Sequence, residues 1–263
     1  MLFNLRLFQL PLIRRLVLSI VLWVGWPSSA FSESDCAGCI ELIEVIEGES
    51  EETTPEGSTG STSAPPSSAS YFGVAVLDTG VQLQPPLLAP GSISFVGGDP
   101  LVDYAKQGTH GTAVAQVILT LAPGSKILSL QTSTGGSSVS ASAVYQGLLH
   151  AAANPSIRVI NHSNAALATV PGDAMLAAAA ADKVVVMGAG NDWLANPAGD
   201  ALHAPGLGGK GLIVGGLGPD GKMLKFSNHA GAYAGHYVVA LGAAQFADYW
   251  GSPFATPRAS ALA

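Results

Sequence analysis

Five short apolar runs alternate with Ala-rich segments of helix length in the C-terminal part of this 263-residue chain. The runs are Phe72–Leu77, Lys126–Leu130, Ile157–Ile160, Lys183–Met187 and Leu212–Val214. The helix-length segments are Gly111–Ala122, Val139–Ala153 and Gly172–Asp182. Strands that are apolar throughout are buried on both faces, and the connecting helices supply the cover. We therefore predict an α/β domain over residues 71–263, with a doubly wound, mostly parallel sheet and helices on both faces.

The first 32 residues have the pattern of an export signal. Three arginines precede an apolar run of 11 residues, which Pro27 ends, and small residues suitable for cleavage follow. As a helix this run would span roughly 17 Å, well short of a ~30 Å hydrocarbon core. We predict a cleaved signal peptide and an exported protein, periplasmic or extracellular, whose only membrane contact is through this segment. An uncleaved anchor is the alternative.

Residues 33–70 are predicted to be a linker, acidic at first and then rich in Ser, Thr, Pro and Gly. Nine of the 18 acidic residues lie between Glu33 and Glu56 with no basic residue among them, so the net charge of −7 belongs largely to this tail. The domain itself is nearly neutral, which argues against nucleic acid as a partner. Ile40–Ile46 has the pattern of a short amphipathic helix. Cys36 and Cys39 are interpreted as a local disulfide, since a metal site would need a second such pair.

Four blocks carry polar residues to the strand ends and helix starts, where ligands of parallel sheets bind. They are Val74-Ala75-Val76-Leu77-Asp78-Thr79-Gly80, Gly108-Thr109-His110-Gly111-Thr112, Val184-Val185-Val186-Met187-Gly188-Ala189-Gly190-Asn191 and Gly251-Ser252-Pro253-Phe254-Ala255-Thr256-Pro257. In this order they resemble the blocks of the subtilisin-like serine peptidases, the subtilases. Taken singly, Asp78 also suits a cap or turn, His110 a core position and Asn191 a turn after glycine.

The resemblance implies a role for each of these polar residues. His110 would be the base that takes the proton of a serine hydroxyl, and Asp78 would fix its tautomer and stabilise the imidazolium. Asn191 would donate its amide to the oxyanion, a contact whose loss costs about 10²–10³-fold in subtilisin. A peptide or protein substrate is implied.

The resemblance also implies substrate contacts at the residues Gly135, Ser163 and Asn164, although Gly135 also suits an ordinary loop. No cofactor is implied. We assign no metal, because no group of His or Asp residues has ligand spacing.

The fourth block departs from the family pattern at the nucleophile. The family reads Gly-Thr-Ser-x-Ala-x-Pro, and alignment without gaps puts Ser252 at the threonine and Pro253 at the serine. Proline has neither a hydroxyl nor a backbone N–H, so the change would remove the nucleophile and one oxyanion donor. Loss of the serine alone lowers kcat by about 2 × 10⁶ in subtilisin. Proline at the first helical position with Ser252 as N-cap would nevertheless suit the helix.

Three functions follow from this departure. The first is a degenerate subtilase that binds peptides in its groove, and the second is an active endopeptidase that uses Ser252, whose Cα is displaced by ~3.8 Å from the usual position. The third is an α/β module without groove function.

Ala165 stands where the family has a glycine in the peptide-binding strand, so its methyl is expected to narrow the cleft. His162, three residues before it, could touch a ligand.

Overall fold

The computed structural model of the chain describes residues 40–41, 71–105, 109–135, 139–243 and 249–263. The predicted signal segment and nearly all of the predicted linker lie outside the described residues. Cys36 and Cys39 do so too. The boundaries of these segments, and the proposed disulfide, stay predictions.

Eight strands within the described ranges form one sheet, and every pairing between them is parallel. The strands are β1 (Ile40–Glu41), β2 (Phe72–Asp78), β3 (Ile93–Ser94), β4 (Ser125–Gln131), β5 (Ile157–His162), β6 (Val184–Gly188), β7 (Gly211–Leu217) and β8 (Tyr237–Leu241). Their order across the sheet is β1-β8-β7-β6-β5-β2-β4-β3. The predicted parallel sheet is confirmed, and the five predicted apolar runs are β2, β4, β5, β6 and β7.

Helices cover both faces of this sheet. The α-helices are α1 (His110–Leu121), α2 (Ala141–Ala153), α3 (Gly172–Ala180) and α4 (Ser252–Leu262), and 3-10 helices occupy Pro85–Leu87, Ala165–Leu167, Gly199–Leu207 and Gly231–His236. Val74 and Val76 of β2 pack in the core with α1 and α4, whereas Ala75 and Leu77 pack in the core with α2 and α3. This alternation follows from the two-residue period of a strand and confirms the doubly wound α/β architecture. Among the described helices, none is both long and apolar enough to span a membrane.

The site lies where the chain changes its direction of travel across the sheet. β4 pairs with one side of β2, and β5 pairs with the other. The connection after β2 runs toward the β4 side of the sheet, and the connection after β5 runs toward the β6 side. Neighbouring strands whose connections leave in opposite directions have a crevice beyond their carboxyl ends, here those of β2 and β5. Asp78 is the last residue of β2, so the fold puts this carboxylate at the crevice.

A two-residue strand from the acidic segment extends the sheet at its β8 edge. Ile40 pairs with Val238, and Glu41 pairs with Val239. The predicted amphipathic helix over Ile40–Ile46 is therefore wrong at its first two residues, and residues 42–46 lie outside the described part of the chain. An edge strand has unpaired backbone N–H and C=O groups, and strand pairing satisfies them in a way that a helix would not.

Candidate active site

Asp78 and His110 are in direct side-chain contact at the carboxyl edge of the sheet. The Asp78 side chain is fully buried at the end of β2, and His110 is the first residue of α1, with its side chain 20% exposed. His110 Nδ1 lies 2.7 Å from Asp78 Oδ1. Because a carboxylate only accepts, Nδ1 carries the proton and donates it to Asp78. Nε2 is then the ring nitrogen available to a ligand.

A second carboxylate, Asp103, holds this pair in place. Thr79 donates its backbone N–H to Asp78 Oδ1 at 2.8 Å and its hydroxyl to Asp103 Oδ1 at 2.7 Å. Asp103 Oδ2 accepts the Thr112 N–H at 2.7 Å, so the same carboxylate caps the first turn of α1. The cap fixes the turn that carries His110. Sequence reasoning missed Asp103, and the available signal was an acidic residue shortly before a helix start.

The pKa of His110 reflects opposing influences. Burial lowers the pKa of the imidazole, and the charge of Asp78, its hydrogen bond and the charge of Asp103 raise it. The net result is a pKa above the usual histidine value. The ring is therefore held in a state that readily takes a proton, as a general base must be.

Two aromatic rings pack beside His110. The ring centroid of Phe254 lies 5.0 Å from that of His110, and the ring centroid of Tyr249 lies 6.3 Å from it. Tyr249 and Phe254 are stacked on each other at 5.3 Å and 2°. Phe254 is buried, so one side of the imidazole is shielded from water. Sequence reasoning missed this aromatic packing, although Phe254 lies inside the fourth block.

Asn191 presents a free amide close to the start of α4. It lies in the loop after β6, is exposed, and accepts the backbone N–H of Ser252 on Oδ1 at 3.0 Å. This bond fixes the plane of the side chain. Within the described ranges Nδ2 has no hydrogen-bond acceptor, so it can donate to a ligand. Gly251 makes the close approach possible, because a Cβ there would lie 2.7 Å from Asn191 Nδ2.

The loop that carries Asn191 is shaped by a buried side chain, Asn228. Its Oδ1 accepts the backbone N–H groups of Asp192 and Leu194 at 2.9 and 3.0 Å, and its Nδ2 donates to the Ala189 carbonyl at 3.0 Å. These contacts lie on both sides of Asn191 in the chain. Sequence reasoning assigned Asn228 no role, because its partners are backbone groups distant in the chain.

The fourth block begins α4 one residue earlier than predicted. Gly251 is the N-cap, with φ 141°, and Ser252 and Pro253 are the first two helical residues. The prediction of Ser252 as N-cap is therefore wrong. The reason is that the backbone at Gly251 adopts a conformation essentially reserved for glycine, and the Ser252 N–H is taken by Asn191.

The Ser252 hydroxyl is buried and engaged inside the protein. Its Oγ accepts the Gly190 N–H at 3.1 Å, and no hydrogen bond joins it to His110 in the part of the chain that the structure describes. The Pro253 carbonyl accepts the Ser163 hydroxyl at 2.9 Å. A nucleophilic role for Ser252, and the replacement of a nucleophile by Pro253, stay predictions.

The three residues predicted to contact substrate lie in different surroundings. Gly135 is half-buried with φ 82°, and a Cβ there would lie 2.0 Å from the Tyr104 carbonyl oxygen, so its own packing demands a glycine. Ser163 is buried, and its Oγ accepts Asn161 Nδ2 at 2.9 Å as well as donating to Pro253. Asn164 is half-buried just before the 3-10 helix at Ala165–Leu167. Substrate contacts at these positions stay predictions.

Two expectations about the neighbouring segment are wrong. Ala165 is fully buried in the core, so its methyl does not narrow a cleft. His162 is also fully buried, with Nε2 3.0 Å from Asp200 Oδ2. His162 is two residues beyond Ile160, so strand alternation turns it toward the same core, away from the crevice.

A doubly wound parallel sheet with an Asp–His pair at its carboxyl edge is the arrangement of serine-type peptidases of the subtilisin-like class. The sequence model of the subtilase family matches residues 70–263, and the chain belongs to that family. Enzymes of this family are serine-type peptidases that take peptide or protein substrates.

Several solved structures share the fold. A mutant of the protease domain of PatA is 22% identical with a TM-score of 0.57, covering 73% of this chain and 78% of that chain. The prenylagaramide maturation protease PagA is 24% identical with a TM-score of 0.54, covering 73% of each chain. A cold adapted subtilisin-like serine proteinase is 24% identical with a TM-score of 0.55, covering 72% of each chain. No curated protein matches this chain.

Proposed function

We propose that this chain is an exported subtilase-family domain that binds peptides at the peptidase site and cuts them poorly, because Pro253 replaces the nucleophilic serine. One observation carries the proposal. Pro253 lies between Ser252, whose N–H binds Asn191, and Phe254, whose ring lies 5.0 Å from His110. Position 253 is thus flanked by contacts to the oxyanion donor and to the base, which is where a nucleophile belongs.

The groups around position 253 support a site that is intact in every other respect. The Asp78–His110 pair, its support from Asp103 and the free amide of Asn191 are all present. Proline supplies no hydroxyl for His110 to deprotonate and no N–H for an oxyanion. Such a site can hold a peptide, but it lacks the serine oxygen that would attack the peptide bond.

The buried Ser252 hydroxyl argues against a displaced nucleophile. Its Oγ is fixed by the Gly190 N–H at 3.1 Å and is shielded from solvent. A nucleophile must instead be within hydrogen-bond reach of its base, and an error of about 1 Å in placement costs about 10²-fold.

Labelling with a fluorophosphonate probe tests the proposal, because the probe reacts with an activated serine. Purified chain 33–263 is expected to take no label, with modified residues mapped by mass spectrometry. Label on Ser252 that disappears in both Ser252→Ala and His110→Ala variants would overturn the proposal in favour of an active peptidase. Export is tested separately by the N-terminal sequence of the mature protein, which is expected to begin near residue 33.

A further inference from the structure

We infer that this site takes the free carboxylate at a peptide's C-terminus, held between His110 Nε2 and Asn191 Nδ2. The inference rests on the proposed function, since it assumes that peptides bind here. It goes further in naming the part of the peptide that the site recognises, namely a chain end rather than an internal segment.

The first step concerns the two donors that the protein leaves unused. His110 has Nδ1 engaged with Asp78 at 2.7 Å, and Asn191 has Oδ1 engaged with the Ser252 N–H at 3.0 Å. In the described ranges neither His110 Nε2 nor Asn191 Nδ2 has a protein partner. A carboxylate has two oxygens that only accept, so it matches two donors of this kind.

The second step concerns the start of α4, whose Ser252 N–H contacts Asn191 and whose Phe254 ring contacts His110. The Ser252 N–H donates to Asn191, Pro253 has no N–H, and the Phe254 N–H donates to the Gly251 carbonyl at 3.1 Å. The helix therefore offers no free amide at this point. The second donor that an oxyanion would need is missing, and a protonated His110 is the group that remains to take its place.

The third step concerns charge. The groups that face His110 are Asp78 from β2, Asp103 from the segment before α1, and the Tyr249 hydroxyl-bearing ring from the segment before α4. Burial lowers the pKa of His110, but both carboxylates favour the imidazolium and together raise the pKa above its usual value. Asp78 Oδ2 is buried without a hydrogen-bond partner among the described residues, and Asp78 Oδ1 is bonded to His110 and to the Thr79 N–H. A cationic ring with a free N–H binds an anion better than a neutral carbonyl.

Proline at position 253 also means that no nucleophile hydroxyl there competes with a ligand for His110 Nε2. In a serine peptidase the serine hydroxyl is hydrogen-bonded to the histidine base, whereas proline has no hydroxyl oxygen. An oxygen of the ligand can then approach Nε2 directly. Phe254 and Tyr249 shield one side of the ring, which strengthens a charged hydrogen bond by excluding water.

The test compares two dye-labelled octapeptide pools of the same composition, one with a free C-terminal carboxylate and one amidated, by fluorescence anisotropy with chain 33–263. At about pH 6 the carboxylate pool is expected to bind about tenfold more tightly or better, because a charge-assisted bond is gained. This preference should weaken as the pH rises through the raised pKa of His110, because the ring then loses its proton.

Three variants make the test specific. Asn191→Asp keeps the acceptor for the Ser252 N–H but repels a carboxylate, so it should abolish the preference for the carboxylate pool. His110→Gln should abolish the pH dependence. His150→Gln, on α2 with Nε2 bonded to the Gly91 carbonyl, is the matched control and should behave like the wild type.

The outcomes separate this inference from the proposed function. Equal binding of both pools to the wild type would overturn the carboxylate inference and leave the peptide-binding proposal standing. Binding of neither pool would contradict both. A preference that survives in Asn191→Asp would also contradict the inference, and thermal unfolding of each variant shows that the comparison is made on folded protein.

Discussion

The imidazole of His110 shows how single residues set the chemistry of this site. Burial alone would lower its pKa, and Asp78 is the strongest of the influences that raise it. We predict that Asp78→Asn lowers the pKa of His110 below the wild-type value, and below the usual value of about 6.5, because burial then acts almost unopposed. A titration of the His110 ring proton by NMR measures it.

The control for this prediction is Asp103→Asn. Asp103 has no hydrogen bond to His110 and raises its pKa through charge, so its variant should lower the pKa of His110 by less than Asp78→Asn does. An unchanged pKa in Asp78→Asn would show that the contact between Asp78 and His110 does not control the ring.

At the scale of elements, the start of α4 depends on one glycine. Gly251 has φ 141° and ψ 177°, and a Cβ there would lie 2.7 Å from Asn191 Nδ2. We predict that Gly251→Ala lowers the free energy of unfolding by about 1–3 kcal/mol, because alanine is strained in this backbone conformation.

Urea unfolding measures this loss, and Gly206→Ala is the matched control. Gly206 has open space around its Cβ position and no positive φ, so its substitution should be nearly neutral. Equal stability of the Gly251→Ala variant and the wild type would mean that α4 does not begin in the observed way.

The loop after β6 is the second element whose shape depends on one side chain. Asn228→Ala removes the two bonds to the Asp192 and Leu194 N–H groups and the bond to the Ala189 carbonyl. Since a buried group left unpaired costs about 1–3 kcal/mol, we predict a loss of at least ~2 kcal/mol in unfolding free energy.

Chemical denaturation of Asn228→Ala beside Asn196→Ala checks this prediction. Asn196 accepts one exposed bond from the Ala232 N–H, so its variant should lose less than about 1 kcal/mol. Similar losses in the two variants would remove the reason for giving Asn228 a special role.

For the whole molecule, the sequence predicted what depends on long apolar runs and local motifs. The five long strands and the four α-helices lie where periodicity and composition put them, within about three residues. β1 and β3 have two residues each, too few for a pattern to be visible, and their pairing depends on neighbours distant in the chain. β8 has the same apolar character as the other strands but was not distinguished from its surroundings.

In the candidate active site, too, local motifs predicted some contacts, whereas others depend on residues distant in the chain. The contact of Asp78 with His110 joins two residues that motifs singled out, although their function there stays a prediction. The contributions of Asn228 and Tyr249 could not be predicted, because each acts through backbone or ring contacts that only the folded chain creates. The burial of His162 depends on the face of β5 to which its side chain points, and that of Ala165 depends on how the 3-10 helix Ala165–Leu167 packs after the strand.

The edge of the sheet gives a prediction for the whole domain. A chain that begins at residue 71 lacks β1 and leaves the outer edge of β8 unpaired. We predict that it unfolds about 2–4 °C below chain 33–263 and aggregates more readily, since exposed strand edges pair with other chains.

Thermal unfolding with light scattering measures both effects. Ile40→Pro in chain 33–263 is the matched variant, because proline removes a backbone donor from β1 while keeping the acidic segment, and it should resemble the truncated chain. A truncated chain as stable and as soluble as the longer one would contradict the role given to β1.

We propose that one residue separates this chain from a working peptidase, and the Pro253→Ser variant tests this proposal most directly. We predict that purified Pro253→Ser takes fluorophosphonate label at position 253 and hydrolyses casein, whereas the wild type does neither. Both gains should disappear when His110→Ala is added, because the serine needs its base. A Pro253→Ser variant that folds, binds peptides and still takes no label would contradict the account, since the groups around position 253 would then not form a catalytic site.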